Sequence, residues 1–241
     1  MCMEKAKNSL IRTFGRVRGK TLSDRKQWLV ENLLPALAPT KNDQDAILEI
    51  GFGAGEHILH LAETHPTRTI IGAEPFMNGV AALLSHMTDD VGAHTCAPGR
   101  EYAPLQIIKP EYKNIKIWPD DVRKLLSMPY ALCPMPYFAF SKIYILHPDP
   151  WPKSRHEKRR LLQTEFLNEL AGRLAPGGQI IIATDHLDYF DWILEKAAKT
   201  NLKISNKDFS TPPESGLDTR YKTKDMFGKN TVKYLILTHK A

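Results

Sequence analysis

Short apolar runs alternate with amphipathic segments over most of this chain, and the alternation predicts its secondary structure. The apolar runs, which are typical of buried strands, are residues 46–51, 69–73, 115–118, 142–146 and 179–184. The segments before and between them carry helical periodicity and predict helices at residues 28–37, 56–65, 76–87, 122–126, 158–174 and 187–200. Strands separated by helices indicate a doubly wound, mostly parallel sheet.

The C-terminal part follows a different pattern. Strand-like residues 202–208 and 232–239 have no helix between them, so we expect these two strands to pair antiparallel. With the five earlier strands they make a seven-stranded α/β sheet with an antiparallel C-terminal strand, the layout of the class I (Rossmann-like) methyltransferase fold. The longest predicted helix, residues 158–174, has an apolar residue at every fourth position and is expected to end at the Pro-Gly-Gly sequence of residues 176–178.

Composition places the chain among ordinary globular proteins. Its 241 residues are 42% hydrophobic and 25% charged, and the net charge of +6 is compatible with a polyanionic partner. We expect a basic N-terminal arm and helix at residues 1–40 and one domain at residues 41–241. Three widely spaced cysteines fit a reducing cytoplasm and form no metal-site pattern. No apolar run approaches the roughly 20 residues of a membrane span, and the N-terminus lacks the apolar core of a secretory signal.

Three glycines, Gly51, Gly53 and Gly55, lie where the first predicted strand meets the first helix of the alternating pattern. A dinucleotide fingerprint has the spacing G-x-G-x-x-G, so the G-x-G-x-G spacing here disfavours a nicotinamide-dependent oxidoreductase. With the acid Glu49 inside the preceding strand, the pattern suits S-adenosylmethionine, which carries an amino group and a sulfonium but no phosphate. Taken alone, the glycines are equally compatible with a tight strand-to-helix turn.

Acidic residues are associated with the first three predicted strands. Glu49 lies inside an apolar strand and needs a partner there, because burying an unpaired carboxylate is costly. Glu74 follows the second strand, where an acid commonly accepts the ribose hydroxyls of an adenosine ligand. Asp120 and Asp121 follow the third, where one of them could meet an adenine amino group and the other could cap a helix. Acids at successive strands favour a nucleoside cofactor.

The most informative segment is residues 147–160, which follows the strand predicted at residues 142–146. In it, Asp149 stands between two prolines, which restrict the backbone and hold the carboxylate in one orientation. Ligands of open α/β sheets bind at the carboxyl ends of strands, where Asp149 is expected to lie. Asp185 follows the next strand, so we expect it to share a cleft with Asp149.

Cationic side chains crowd the same segment and the first turn of the helix predicted after it: Lys153, Arg155, Lys158, Arg159 and Arg160. Cations at a helix N-terminus oppose the helix dipole, an arrangement that is better tolerated when an anion lies among them. Arg16 and Arg18 belong to a second basic segment near the N-terminus. Two such segments favour contacts with RNA phosphates, although each is also compatible with a solvated charged face.

Several motifs together closely resemble the bacterial tRNA (guanine-N7-)-methyltransferase family, from about residue 10 to the C-terminus. The most specific is PDPWPK at residues 148–153, followed by RH at 155–156 and KRR at 158–160. The sequences IGFGAG at 50–55, GAEPFMNGV at 72–80 and ATD at 183–185 resemble the family as well. The motifs fall in separate parts of the chain, so the resemblance extends beyond one site.

The resemblance implies a cofactor, a reaction and a substrate. The residues that it assigns to S-adenosylmethionine are Glu49, Gly51, Gly53, Gly55, Glu74, Asp120 and Asp149. Asp149 is also implied as the catalytic residue, and the residues implied to contact the substrate are Lys153, Asp185, Thr219, Arg220, Tyr221 and Lys222. The implied product is 7-methylguanosine at guanosine 46 in the variable loop of tRNA, with no membrane and no metal involved.

Two departures from the family pattern keep alternatives open. Lys222 stands where the family has a glutamate, and His147 stands where an aromatic residue is common. The charge reversal at Lys222 leaves room for an RNA-binding protein that kept the fold without the activity. Another RNA base methyltransferase is a further alternative. Nucleic-acid amino-methyltransferases have two prolines between the polar residue and the aromatic residue at this strand end, whereas a single proline separates Asp149 from Trp151 here, which disfavours that chemistry. Both a monomer and a homodimer are compatible with the sequence.

Overall fold

The computed structural model describes residues 11–17, 19–40, 43, 45–88, 104–127, 139–217 and 232–240. Seven strands form one sheet, in the order β3-β2-β1-β4-β5-β7-β6. Their bounds are β1 Ile47–Ile50, β2 Ile70–Ala73, β3 Ile115–Trp118, β4 Phe140–Leu146, β5 Leu174–Thr184, β6 Leu202–Ile204 and β7 Lys233–His239. Strand β7 runs antiparallel to β5 and β6, whereas the pairs β2–β3, β1–β4 and β4–β5 are parallel. The predicted fold class is confirmed.

The chain divides into two compact units, of which the first comprises Met1–Asp43 and Gly51–Pro136. Its helices are α1 Asp24–Asn32, α2 Glu56–Thr64, α3 Met77–Met87 and α4 Val122–Leu126, with short 3-10 helices at Leu34–Leu37, Pro104–Ile107 and Pro110–Tyr112. The helix predicted at residues 28–37 is therefore two elements. Proline cannot donate the backbone hydrogen bond of a helix interior, so the α-helix ends first and Pro35 occupies the first turn of the 3-10 helix.

The second unit comprises Gln44–Ile50 and Tyr137–Ala241. It contains a 3-10 helix at Ser154–Arg159 and two α-helices, α5 Thr164–Ala171 and α6 Leu187–Ala198. Tyr144, Tyr189, Tyr234 and Phe140 are the largest of its fully buried side chains. The predicted boundary at residue 40 between arm and domain stays a prediction.

The helix predicted at residues 158–174 is wrong in extent. The chain forms a 3-10 helix up to Arg159, extends at Arg160, and begins α5 only at Thr164. Leu162 and Leu174 are buried outside that helix, because one packs in the extended segment and the other already pairs with Phe140 as part of β5. The Pro-Gly-Gly sequence lies inside β5 instead of ending a helix. The apolar residues at every fourth position therefore belong to one helix and to the buried segments on either side of it.

Candidate active site

The three glycines after β1 form the turn that leads into α2. Gly51, Gly53 and Gly55 have φ of +77°, +60° and +95°, a conformation that favours glycine. A Cβ built on Gly51 or Gly53 would meet no atom within 4 Å, so this side of the turn is open. A Cβ on Gly55 would lie 2.6 Å from Leu83 Cδ1, so Gly55 is required for the packing of α3. Two glycines therefore leave room for a ligand and the third serves packing.

Glu74 connects the glycine turn to the start of α3. Its buried carboxylate accepts hydrogen bonds from the backbone N–H of Gly53 through Oε2 and of Phe76 through Oε1, both at 2.8 Å. A carboxylate oxygen can accept more than one hydrogen bond, so these structural bonds are compatible with the predicted role toward ribose hydroxyls. The sequence predicted a ligand-facing acid here but not its bonds to the turn.

The two acids after β3 have different roles. Asp121 is buried, caps α4 by accepting the backbone N–H of Arg123 at 3.0 Å, and forms an ion pair with the Arg123 guanidinium at 2.6 Å. Asp120 has a side chain that is 40% exposed, and it pairs with Lys124 at 2.8 Å across one helical turn. The expectation that one of these two acids is a helix cap is confirmed for Asp121. Asp120 keeps an accessible carboxylate, as an adenine contact requires.

The basic segment near the N-terminus is attached to this part of the first unit. The Thr13 hydroxyl donates to Asp121 Oδ2 at 3.0 Å, and Arg123 Nη2 donates to the carbonyl of Arg12 at 3.1 Å. Further along, Asn78 at the start of α3 donates to the carbonyl of Lys20 at 2.7 Å. The segment preceding α1 therefore contacts the starts of both α3 and α4, which the composition of a basic arm did not indicate.

Asp121→Ala is expected to lower the free energy of unfolding by about 1–2 kcal/mol at pH 7, the usual cost of losing a helix cap. Burial alone would raise the pKa of Asp121, but the Arg123 guanidinium and the Thr13 hydroxyl outweigh it and hold the pKa below its ordinary value. This stabilisation is present above the pKa of the unfolded chain and is lost as the pH falls through the lower folded pKa. Urea unfolding between pH 7 and pH 3 measures both effects.

Asp120→Ala is the matched control for this stability effect. Its exposed carboxylate forms an i,i+4 pair, so we expect its removal to change the free energy of unfolding by less than about 0.5 kcal/mol. Equal losses in the two variants would show that burial of Asp121 and its hydrogen bonds add nothing.

In the second unit, Glu49 lies in β1 beside Tyr144 of β4, and both side chains are buried. The Tyr144 hydroxyl donates to Glu214, and Lys142 forms an ion pair with the same carboxylate. Burial, the hydrogen bond and the charges of Glu214 and Glu49 raise the pKa of Tyr144. The sequence analysis missed Glu214, because its partners lie about 70 residues away and no local pattern marks it.

The ends of β4 and β5 lie side by side, with Leu146 paired to Ala183. His147 continues this pairing by donating its backbone N–H to the Ala183 carbonyl at 2.8 Å, and it has a φ of +50°. Its Nδ1 lies 3.7 Å from Asp185 Oδ1. Burial lowers the pKa of His147, although the nearby Asp185 carboxylate opposes that shift. The residue that departs from the family pattern therefore contacts an acid that the sequence predicted to be at the site.

Asp149 lies two residues after His147 and is accessible to solvent. The surrounding protein nevertheless removes part of its hydration, which raises the pKa of the carboxyl. Trp151 has a φ of +44° and packs on the following 3-10 helix, with its ring edge-on to His156 at 5.7 Å and the Arg159 guanidinium 5.0 Å from its centre. Asp149 is thus at the end of a parallel strand, on a loop held by prolines and by Trp151.

The predicted phosphate contacts do not share one environment. Lys153, Arg155 and Lys158 are exposed on or beside the 3-10 helix at Ser154–Arg159. Arg160 is only 5% exposed and points into the protein, which argues against a contact with RNA phosphates. The cations also precede α5 by several residues, so they do not oppose the dipole of an α-helix as predicted.

Some candidate residues lie outside the described part of the chain: Arg18, Thr219, Arg220, Tyr221 and Lys222. Arg16 is described and exposed, with its guanidinium 5.5 Å from the centre of the Phe76 ring. Among the described residues, no group of His, Cys, Asp and Glu side chains could hold a metal ion. Within the same residues, no helix has the length and apolar character needed to cross a membrane.

Comparison with solved structures identifies the class of protein. A 16S rRNA methyltransferase, KamB, superposes with a TM-score of 0.52 at 18% identity, covering 94% of this chain and 99% of that chain. An antibiotic-related methyltransferase gives a TM-score of 0.50 at 16% identity, with coverages of 92% and 97%. A family model described as "Putative methyltransferase" matches residues 43–234. The fold is that of the class I methyltransferases.

Closer relatives identify the family. A protein of Neorickettsia sennetsu named tRNA (guanine-N(7)-)-methyltransferase is 36% identical over 201 residues, which cover 83% of this chain and 81% of the relative. The protein of the same name from Sphingopyxis alaskensis is 34% identical over 241 residues, with coverages of 90% and 89%. The chain belongs to the tRNA (guanine-N7-)-methyltransferase family, as its motifs predicted.

Proposed function

We propose that this protein transfers the methyl group of S-adenosylmethionine to N7 of guanosine 46 in the variable loop of tRNA. The relatives support the reaction and the class of substrate, because they carry this activity in their names over most of their length. The observation that carries the proposal is Asp149, an accessible carboxylate on a restrained loop at the end of β4, next to the exposed cations at residues 153–158. The position in tRNA rests on the resemblance of the motifs.

The residues of the first unit fit a nucleoside cofactor. The open side of the turn at Gly51 and Gly53 lets a ligand approach the backbone, as small residues do at such turns. We assign the Glu74 carboxylate, which lies against the turn, to the ribose hydroxyls, and the accessible Asp120 carboxylate to an adenine amino group. We assign Glu49, buried in β1, to the same cofactor. When bound, S-adenosylmethionine supplies a methyl group activated by its sulfonium.

Asp149 is assigned an orienting and electrostatic role. Guanine N7 carries an in-plane lone pair, so no base has to remove a proton before methyl transfer. The product ring bears positive charge, and a fixed carboxylate that accepts hydrogen bonds from the Watson–Crick edge of guanine would stabilise that charge as it develops. Holding the reacting groups in line can supply roughly 7–11 kcal/mol of the barrier reduction. Partial desolvation of Asp149 strengthens such an interaction.

The test is to incubate the purified protein with bulk tRNA and methyl-labelled S-adenosylmethionine and to identify the labelled nucleoside after digestion. The proposal expects 7-methylguanosine, and it expects the label to disappear in a transcript in which guanosine 46 is replaced. Label in another nucleoside would establish a different RNA base methyltransferase. Binding of tRNA without any label would favour the alternative of a non-catalytic RNA-binding protein.

Replacing Lys153, Arg155 and Lys158 together by glutamine is expected to weaken tRNA binding and flatten its salt dependence. Each phosphate contact contributes about 0.7–0.9 to the slope of log affinity against log salt, so three contacts give a change of roughly 2 to 3. Fluorescence anisotropy between 50 and 200 mM salt measures the slope. The matched control replaces three exposed lysines of the same unit, Lys199, Lys203 and Lys207. Equal slopes in both triple variants would contradict the assignment.

A further inference from the structure

We infer that Arg160 is a positioning residue that fixes the Asp149 loop (residues 147–153) from inside the protein. The inference rests on the proposed function of Asp149 and extends it to a residue whose sequence context suggested an RNA contact. Arg160 is only 5% exposed, and its Nε donates a hydrogen bond to the Pro150 carbonyl at 2.8 Å. Pro150 directly follows Asp149, so this bond acts on the peptide next to the proposed reaction centre.

Two aromatic rings of α6 hold the Arg160 guanidinium. Its central carbon lies 4.7 Å from the centre of the Trp192 ring and 5.4 Å from that of the buried Tyr189 ring. Such cation–π contacts are strongest when they are shielded from water. A planar guanidinium can contact ring faces and donate in its own plane at once, which a lysine ammonium cannot do. The two rings therefore fix the orientation of the guanidinium that donates to the loop.

The chain after Arg160 is attached to the same helix. Trp192 Nε1 donates to the Leu162 carbonyl at 3.1 Å, and the Leu162 backbone N–H donates to the Tyr189 hydroxyl at 3.3 Å. Burial raises the pKa of Tyr189, and the charges of both Arg160 and Asp149 act on its hydroxyl. Arg160 and the segment after it therefore contact the same two residues of α6, Tyr189 and Trp192. From these contacts, α6 sets the position of Arg160, and Arg160 sets the position of the peptide after Asp149.

The first test compares Arg160→Gln and Arg160→Lys with the wild-type protein in methyl transfer to tRNA. Misplacing a reacting group by about 1 Å can cost 10²-fold, so we expect kcat to fall roughly 10- to 100-fold in both variants. The KM for tRNA and the salt slope of tRNA binding are expected to stay close to wild type. Lys158→Gln, which removes a proposed phosphate contact, should instead weaken tRNA binding and give a shallower salt slope. A shallower slope with normal kcat for Arg160→Gln would establish a phosphate contact and overturn the inference.

The second test does not depend on activity. Hydrogen exchange of the peptide covering residues 147–157 is expected to accelerate in Arg160→Gln while exchange in β1 is unchanged. Unchanged exchange and unchanged kcat would overturn the inference. If the wild type forms no 7-methylguanosine, the proposed function fails, but the exchange result still decides whether Arg160 holds the loop. If Arg160→Gln does not fold, the inference is tested with Trp192→Phe. This substitution weakens the aromatic contact with the guanidinium, so we expect kcat to fall roughly three- to tenfold at unchanged KM. A normal kcat in Trp192→Phe would overturn the inference.

Discussion

Replacing Asp149 by asparagine is expected to lower the rate of methyl transfer by roughly 10²–10³-fold, the usual loss when a preorganised group that stabilises developing charge is removed. Asparagine keeps the shape of the side chain but lacks the negative charge. The affinity for S-adenosylmethionine is expected to stay within a few fold of wild type. Single-turnover transfer to tRNA and equilibrium cofactor binding measure the two quantities separately. Asp188→Asn, which changes an exposed acid of the same unit, is the control and should leave the rate unchanged.

The pH dependence gives the same prediction a second readout. The pKa of Asp149 is raised by desolvation, so the rate should increase with pH through an apparent pKa above the ordinary value of an aspartate, and Asp149→Asn should lack this increase. A raised pKa means that the folded protein binds the proton more tightly than the unfolded chain, so ionisation of Asp149 lowers stability as the pH rises. Asp149→Asn is therefore expected to melt at the same or a higher temperature than wild type at pH 7. Near-normal turnover in this variant would exclude the assigned role.

The sheet was predictable because buried parallel strands are continuous apolar runs. Strand β3 and helix α4 have the predicted bounds, and β7 differs by one residue at its start. The helix prediction failed between Lys158 and Leu174, where residues buried in different elements have the same spacing as one face of a single helix. Periodicity records which residues are buried, but it does not record whether the same element buries them.

In the candidate site, features that depend on neighbouring residues were predictable, whereas features that depend on distant residues were not. The positive-φ glycines after β1 and the place of Asp149 after β4 were predictable, because both follow from residues adjacent in the chain. The burial of Arg160 was not predictable, because a run of cationic residues has the same sequence pattern whether or not each side chain faces solvent. Its burial depends on Trp192, which lies about 30 residues further along the chain. Glu214 was missed for a similar reason, because Tyr144 and Lys142 become its partners only once the sheet has formed.

The close approach of α3 to the glycine turn makes Gly79 sensitive to substitution. A Cβ on Gly79 would lie 2.2 Å from the carbonyl oxygen of Gly53, which is a backbone atom and cannot rotate away. Alanine is favoured over glycine in a helix by about 1 kcal/mol, so helix propensity alone would predict stabilisation. The contact therefore determines the sign of the effect, and relieving it requires the turn or the helix to move.

Gly79→Ala is accordingly expected to lower the free energy of unfolding by about 1–3 kcal/mol, as overpacking of a closely packed site does. Because the displaced turn carries the proposed cofactor contacts, the affinity for S-adenosylmethionine is expected to fall roughly tenfold or more, which is about 1.4 kcal/mol. Urea unfolding and calorimetric titration with S-adenosylmethionine measure these effects. Gly172→Ala is the matched control, since its Cβ would meet its nearest atom at an ordinary 3.5 Å and neither quantity should change appreciably. Wild-type cofactor affinity in Gly79→Ala would contradict the prediction, because it would show that the contact is relieved without disturbing a cofactor-binding turn.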